Sequence, residues 1–318
     1  MKYKNCKICP RNCSIDRTSG KTGFCGFSDT MVISIAALHF GEEPPITGEG
    51  GSGTIFFSGC TMKCPFCQNW QISRGSTGSE VSIDKLVEIM IELQTRGAEN
   101  INFVTGTHFI PSIKEAVLKA RVLGLQIPLV WNCSGYESLE AVEFLSTFID
   151  IYLPDFKTSS SALAKRLFLA EDYPQVAEQA ILKMAEDKKL SFTETGKMKS
   201  GVIVRHLVLP GEIESSRVFL KWYSDFLIAK ALISVMVQYT PVQIPGNHIE
   251  IPQRHVSLKE YNQLLDFMDE YYIEEGFFQD LETGSDWLPD FTKSVPFPSK
   301  QTKVIWSSIQ NGFIQEGN

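Results

Sequence analysis

The chain has 318 residues, enough for one large barrel or two ordinary domains, and its 43% hydrophobic and 21% charged residues are ordinary for a globular protein. A net charge of −7 with no basic tail argues against a non-specific nucleic-acid binder, and no run approaches the ~20 apolar residues of a membrane span. Met1 to Lys4 leads straight into Cys6 without the apolar core of a signal peptide, so the cytoplasm is expected, where eight cysteines serve as ligands more readily than as disulfides.

In chain order, the first feature is a run of four cysteines: Cys6, Cys9, Cys13 and Cys25, with Gly20, Gly23 and Gly26 around them. Glycine lets a backbone fold tightly about a metal. A closed set of four thiolates suits structural zinc or an iron–sulfur cluster, and the sequence does not decide between them. The plainer alternative is reduced cysteines in a small core, although the Pro- and Gly-containing loop lacks core-forming apolar residues. Met31 to Leu38 reads as a short strand. His39 to Pro45 reads as a lead-in loop, with an acid–base or metal role for His39, Glu42 and Glu43 as the less favoured reading. Gly48 to Gly53 is glycine-rich but lacks the Lys-Ser/Thr of a phosphate loop.

From Gly53 onward, short apolar runs alternate with amphipathic stretches. Strands are expected at Thr54–Phe57, Ile101–Val104, Pro128–Trp131, Ile149–Leu153, Val202–Leu209 and Ile233–Gln238. Helices are expected from Ser82 to about Arg96, from Pro111, near Leu139–Phe148, on to about Lys188, near Ser215–Ala229 and from Ser257 to Tyr272. Strand–helix repetition of this kind implies an α/β fold with a parallel sheet. The polar groups Thr105-Gly106-Thr107-His108, Asn132 to Tyr136, Asp155 with Lys157, and Gln238 to Pro241 all fall at carboxyl ends of strands, where parallel barrels build their sites.

The first of those strand ends carries Cys60-Thr61-Met62-Lys63-Cys64-Pro65-Phe66-Cys67. A tight loop can present three thiolates to one point, and thiolate clusters select zinc or iron–sulfur centres. Structural zinc is closed by four ligands, and no fourth Cys or His follows nearby. A cubane held by three thiolates keeps one iron open, which suggests a catalytic cluster.

This loop, continuing into Gln68-Asn69-Trp70, resembles that of the radical S-adenosylmethionine (SAM) enzymes, and within them the pyruvate formate-lyase activating enzymes and their relatives. The segment Cys9-Pro10-Arg11-Asn12-Cys13 is also similar to one found in many relatives. The resemblance implies an open partial (β/α)6 TIM-type barrel with a Cys-rich metal-binding segment before it. It implies a [4Fe-4S] cluster on Cys60, Cys64 and Cys67, SAM on the open iron, and reductive cleavage to a 5′-deoxyadenosyl radical that takes hydrogen from the substrate. Phe66 matches the aromatic position near the adenine. The family's Gly-Gly-Glu-Pro segment for the SAM amino group reads Val104-Thr105-Gly106-Thr107-His108 here, with no carboxylate, so Thr105 and Thr107 hydroxyls or backbone carbonyls would have to serve. Asp155-Phe156-Lys157 matches the Asp-x-Lys segment of the activating enzymes, with Lys157 toward the SAM carboxylate. Asn132 and Ser134 are candidates for the ribose. Arg205, a charge in an apolar strand, needs either the SAM carboxylate or a protein carboxylate.

The expected organisation is a Cys-rich segment and lead-in over residues 1–50, a core barrel over 51–280 and an extension over 281–318 in which Trp287 to Phe291 packs across the barrel. Gln301 to Ile314 could be a strand or a helix. Isolated His108, His206, His248 and His255 are expected to be structural, and Cys133 a buried small residue rather than a hydrogen donor. The implied partners are a protein or peptide substrate, foremost a glycyl radical enzyme, and an electron donor such as flavodoxin or ferredoxin. A competing reading from another class is a zinc-binding interaction module.

Overall fold

The computed structural model describes residues 1–281, 288–297 and 302–315. Its sheet runs in the order β10-β9-β8-β6-β5-β4-β2-β1-β11-β12. The chain enters through β1 (Met31–His39), a one-turn helix α1 (Pro44–Thr47) and β2 (Ser52–Phe57), followed by α2 (Trp70–Ser73), β3 (Ser79–Val81) and α3 (Ile83–Thr95). Repeating units follow: β4 (Ile101–Val104) with α4 (Ile110–Val122), β5 (Leu129–Cys133) with α5 (Leu139–Ser146), and β6 (Ile151–Pro154) with α6 (Ser161–Phe168) and α7 (Tyr173–Asp187). After the two-residue β7 (Ser191–Phe192) come β8 (Met198–Leu207) with α8 (Ile213–Phe226) and β9 (Leu232–Met236) with α9 (Leu258–Glu270). The chain closes with β10 (Phe277–Phe278), β11 (Thr302–Ser307) and β12 (Gly312–Phe313).

Strands β2, β4, β5, β6, β8 and β9 are parallel neighbours, so the six expected strand–helix units form an open partial barrel. The sheet extends beyond them. β10 adds a parallel strand at one edge, and β1 and β11 add antiparallel strands at the other. The C-terminal strand therefore joins the main sheet. Phe291 and Phe297 cover the inner face over Phe56, with ring centroids 5.7 and 5.4 Å away. Trp287 and Gln301 lie outside the described residues.

Alternation along the strands explains the two faces. Trp131, Tyr152, Val202 and Val204 pack outward under the helices, while Val130, Ile151, Leu153 and Ile203 face inward. Ile46 of α1 sits among those inward residues, so the loop between β1 and β2 plugs the barrel interior rather than running over the surface. That fold-back carries Glu42 and Glu43 inside. Four of the helices start at a serine: Ser82, Ser138, Ser160 and Ser257 each cap one with the side-chain oxygen, Ser257 in a capping box with Glu260.

Candidate functional site

The loop after β2 is shaped by short-range bonds to sulfur and backbone. Cys60 Sγ accepts the Met62 N–H at 3.3 Å, Cys67 N–H reaches the Cys64 carbonyl at 3.3 Å, and Trp70 N–H that of Cys67 at 3.1 Å. Lys63 turns the loop at φ 51°. The Ser73 N–H bonds the Asn69 carbonyl at 2.9 Å and starts the short helix that follows the loop. All three cysteines line one cavity. Burial pushes the Cys64 thiol up to about 12 and raises Cys67 as well. Such thiols ionise when a metal takes their place against the proton.

Among the described residues, no three His, Cys, Asp or Glu side chains gather closely enough to hold a single metal ion. A cubane puts each thiolate on a different iron, so its ligands stand further apart than those of one ion. The donor chemistry of the loop, three thiols on one short turn, fits a cluster.

Cys60, Cys64 and Cys67 open onto a cavity of about 490 Å³ at the carboxyl ends of the parallel strands. Phe66 lines it, 5.8 Å from the Tyr239 ring and 6.1 Å from that of Phe168. Thr105, Asn132, Ser134, Asp155 and Lys157 line it from the strand ends where they were expected, and Arg205 lines it from within β8. Thr105 has φ 59°, unusual for a β-branched residue and costing ~1–3 kcal/mol of backbone strain that its surroundings must hold. Its N–H bonds the Asn132 carbonyl at 2.9 Å.

Gly106 and Thr107 do not line the cavity. A side chain on Gly106 would meet the Trp131 ring at 3.0 Å, and the Thr107 hydroxyl donates to the buried Glu137 carboxylate at 2.5 Å. The turn after β4 directs these two toward the helix layer, and only Thr105 is left facing inward. His108 and His206 are buried: His108 Nε2 bonds Ser58 O while its Nδ1 has no partner among the described residues, and both His206 nitrogens are bonded, to Phe156 O and Ser216 Oγ. His255 Nδ1 meets the Tyr239 carbonyl at 2.9 Å.

The cavity wall is a charge network. Asp155 takes Lys157 Nζ at 2.7 Å on one oxygen and Arg205 at 3.1 Å on the other. Burial alone would raise the Asp155 carboxyl, but Lys157 and Arg205 outweigh it and hold it below the ordinary range. Arg205 continues to Glu42 Oε2 at 3.2 Å and to Asn132 Oδ1 at 2.5 Å. Its partners are thus the carboxylates of this chain, Glu42 and Asp155. Glu42 Oε1 further accepts from Asn102 at 3.0 Å and Asn132 at 3.4 Å. Sequence reasoning set Glu42 and Glu43 in a lead-in loop and missed that they line the cavity. The available signal was a pair of adjacent acids just after His39 and before the apolar Pro44-Pro45-Ile46 run. His39 lines it as well, with Nδ1 2.9 Å from Thr302 Oγ1 on β11.

The N-terminal cysteines lie against the back of the same loop. Cys6 and Cys25 are buried, Cys9 and Cys13 partly exposed. Arg11 reaches from among them to the Thr61 carbonyl at 2.8 Å and to the carbonyls of Phe168 and Leu169 at 2.6 and 2.5 Å. Arg17, fully buried, binds the carbonyls of His108 at 2.7 Å and Ser28 at 2.5 Å. Gly59, at φ +89°, lets the chain pass so close that an added side chain would meet Phe27 at 2.5 Å and the Cys25 carbonyl at 2.9 Å.

Comparison with known proteins completes the picture. The "Uncharacterized protein MJ0674" of Methanocaldococcus jannaschii is 28% identical over 289 residues, covering 86% of this chain and 76% of the relative. The FeFe-hydrogenase maturase HydG from Carboxydothermus hydrogenoformans shares the fold at a TM-score of 0.50 and 12% identity, over 71% of this chain and 52% of that one. Streptococcus suis SuiB is similar at a TM-score of 0.48 and 15% identity, over 72% of this chain and 48% of its own. The chain thus spans about half the length of these solved structures. The family model described as "Radical SAM superfamily" matches residues 54–220, just over half of the sequence, and the chain belongs to that superfamily.

Proposed function

We propose that Cys60, Cys64 and Cys67 hold a [4Fe-4S] cluster by three corners and leave the fourth iron to SAM, in a glycyl radical enzyme activase similar to the pyruvate formate-lyase activating enzymes. Membership of the superfamily makes the cluster and SAM the cofactors of the chain. Together they supply a carbon-centred 5′-deoxyadenosyl radical for hydrogen abstraction, and the protein supplies position and electrostatics.

The observation that carries the reading is the convergence of the three-cysteine loop and the Lys157–Asp155–Arg205 network on one cavity. Lys157 is the cation for the SAM carboxylate, held charged by Asp155. The Thr105 carbonyl and hydroxyl take the ammonium, since no carboxylate stands beside them. Asn132 and Ser134 face the ribose, and Phe66 the adenine. Arg205 spans Asp155 and Glu42 and so orients the network instead of binding SAM directly. Gly106 and Thr107 support Thr105 from behind. Asp155-Phe156-Lys157 supports the activase reading within the superfamily. The missing carboxylate after β4 favours a second reading, a radical SAM enzyme acting on another peptide or small molecule. The partners proposed are a protein or peptide substrate and a low-potential electron donor of the flavodoxin or ferredoxin class.

The test is anaerobic incubation with SAM and dithionite. Methionine and 5′-deoxyadenosine are expected from the wild-type chain and neither from Cys64→Ala; equal yields from both would remove the cluster role. A glycyl radical signal formed on an added glycyl radical enzyme separates the activase from the second reading.

A further inference from the structure

The cavity has two sides, and the groups assigned to SAM occupy one of them, at the ends of β4, β5 and β6. The other side is walled by β9, β10 and the residues just after them, through Ser234, Met236, Gln238, Phe277, Phe278 and Gln279. None of these carries a charge. Gln279 Nε2 donates to Gln238 Oε1 at 3.0 Å and ties the two segments together.

The floor of this side is the plug formed by α1, and Glu43 stands at its head. The Glu43 carbonyl accepts the N–H groups of Ile46 and Thr47 at 2.8 and 3.0 Å. Ile46 is seated among Val130, Leu153 and Ile203, so the Glu43 backbone is fixed. Its chain neighbours place it toward the uncharged wall. Glu42 pairs with Arg205 on β8, and Pro44 and Pro45 share a small second cavity with Phe277 of β10. The Glu43 side chain does not cap α1, although it holds the capping position.

Three carboxylates line the main cavity, and only one has an oxygen to spare. Asp155 takes Lys157 on one oxygen and Arg205 on the other. Glu42 takes Arg205 on Oε2, and Asn102 and Asn132 on Oε1. Glu43 lines the cavity at 9% exposure, and its Oε2 has no hydrogen-bond partner among the described residues. The lining Lys and Arg make their ion pairs with the other two acids. Burial raises the Glu43 carboxyl against the opposing charge of Arg205. A buried carboxylate without a counter-charge is costly, so this position gains by receiving a cation from outside the chain. A metal ion would need several oxygen ligands, and the oxygens of Glu42 and Asp155 are already engaged. A cation that carries its own N–H donors on an aliphatic stem satisfies both the carboxylate and the apolar wall of Met236, Phe277 and Phe278.

We propose that this side of the cavity holds the substrate by a primary ammonium on an aliphatic stem, with Glu43 as its counter-ion, an assignment that rests on the reading above only in leaving the β4–β6 side to SAM. The ammonium is that of a lysine side chain in a peptide or of a free alkylamine.

Calorimetric titration of the anaerobically reconstituted protein in the presence of SAM tests this without turnover. The probes are Nα-acetyl-lysine methylamide and n-pentylamine, each beside its uncharged counterpart, Nα-acetyl-norleucine methylamide and n-pentanol. At least one ammonium probe should bind about tenfold or more tightly than its counterpart. Preference for the blocked lysine alone identifies a peptide source, and for pentylamine alone a small amine. Glu43→Gln should remove the preference and Glu43→Asp should keep part of it. The wild-type comparison decides on its own if Glu43→Gln fails to fold. Equal binding of charged and uncharged probes, no binding of either ammonium probe up to about 10 mM, or a preference that survives in Glu43→Gln would overturn the proposal. A SAM cleavage that persists in Cys64→Ala would instead remove the cluster reading and leave the ammonium preference standing.

Discussion

The two groups of cysteines show how differently one chain can hold similar chemistry. The N-terminal group is fastened through backbone: Arg11 and Arg17 bind carbonyls, and its thiols receive N–H donors. The Cys60 loop is fastened to a strand end and faces a cavity whose polar wall is ion pairs between side chains. Backbone fastening makes a rigid, closed site. A wall of paired charges offers groups that can reorient toward an incoming zwitterion. The count of cysteines differs too, four in the N-terminal group and three in the Cys60 loop.

The contrast can be broken most severely at the open set. Cys64→Ala should lower SAM cleavage by at least ~10³-fold, while Cys9→Ala/Cys13→Ala keeps the dithionite-driven reaction, as product analysis would show. Next in size is the difference between two buried arginines. Arg205→Ala strips Glu42 and Asp155 of their shared cation and should cost ~3–5 kcal/mol in urea unfolding. Arg17→Ala removes bonds to neutral carbonyls and should cost less, ~2 kcal/mol, because it strands no opposite charge.

A pH effect follows from Glu137, which sits behind the cavity. Burial raises its carboxyl to about 7 against the Thr107 hydroxyl bond that opposes the shift. A folded-state pKa above the unfolded one means the native state holds the extra proton. The contribution of Glu137 to stability should therefore be full below about pH 4.5 and be lost as pH rises through about 7, by on the order of 3 kcal/mol. Glu137→Gln should flatten that decline when unfolding is compared at pH 5 and pH 8. The smallest effect is expected at Thr105. Thr105→Gly relieves the left-handed backbone and should raise stability by ~1 kcal/mol while weakening SAM binding, seen as a higher KM at unchanged melting cooperativity.

Much of this was legible in the sequence because the signals were local. Thr54 to Phe57 and Ile101 to Val104 are apolar runs of strand length, and Ser82 and Ser257 are explicit helix caps. The Cys60 loop was readable for the same reason, since its cysteines are close in sequence and lie at a strand end. What escaped depended on distant packing. The seat of Ile46 inside the barrel, and with it the entry of Glu42 to meet Arg205, comes from residues far apart in the chain. Thr107 shares a motif with Thr105 but points to Glu137, a direction set by the one-turn helix beginning there. The pairing of β11 with β1 joins the two ends of the chain, beyond the reach of any local pattern.

The open coordination site proposed at the Cys60 loop is tested most directly by magnetic resonance on the reduced cluster with SAM carrying ¹⁵N in its amino group. The ¹⁵N nucleus should couple to the cluster in the wild-type chain and in Cys9→Ala/Cys13→Ala alike. A reduced cluster that shows no such coupling while SAM is bound would contradict the account.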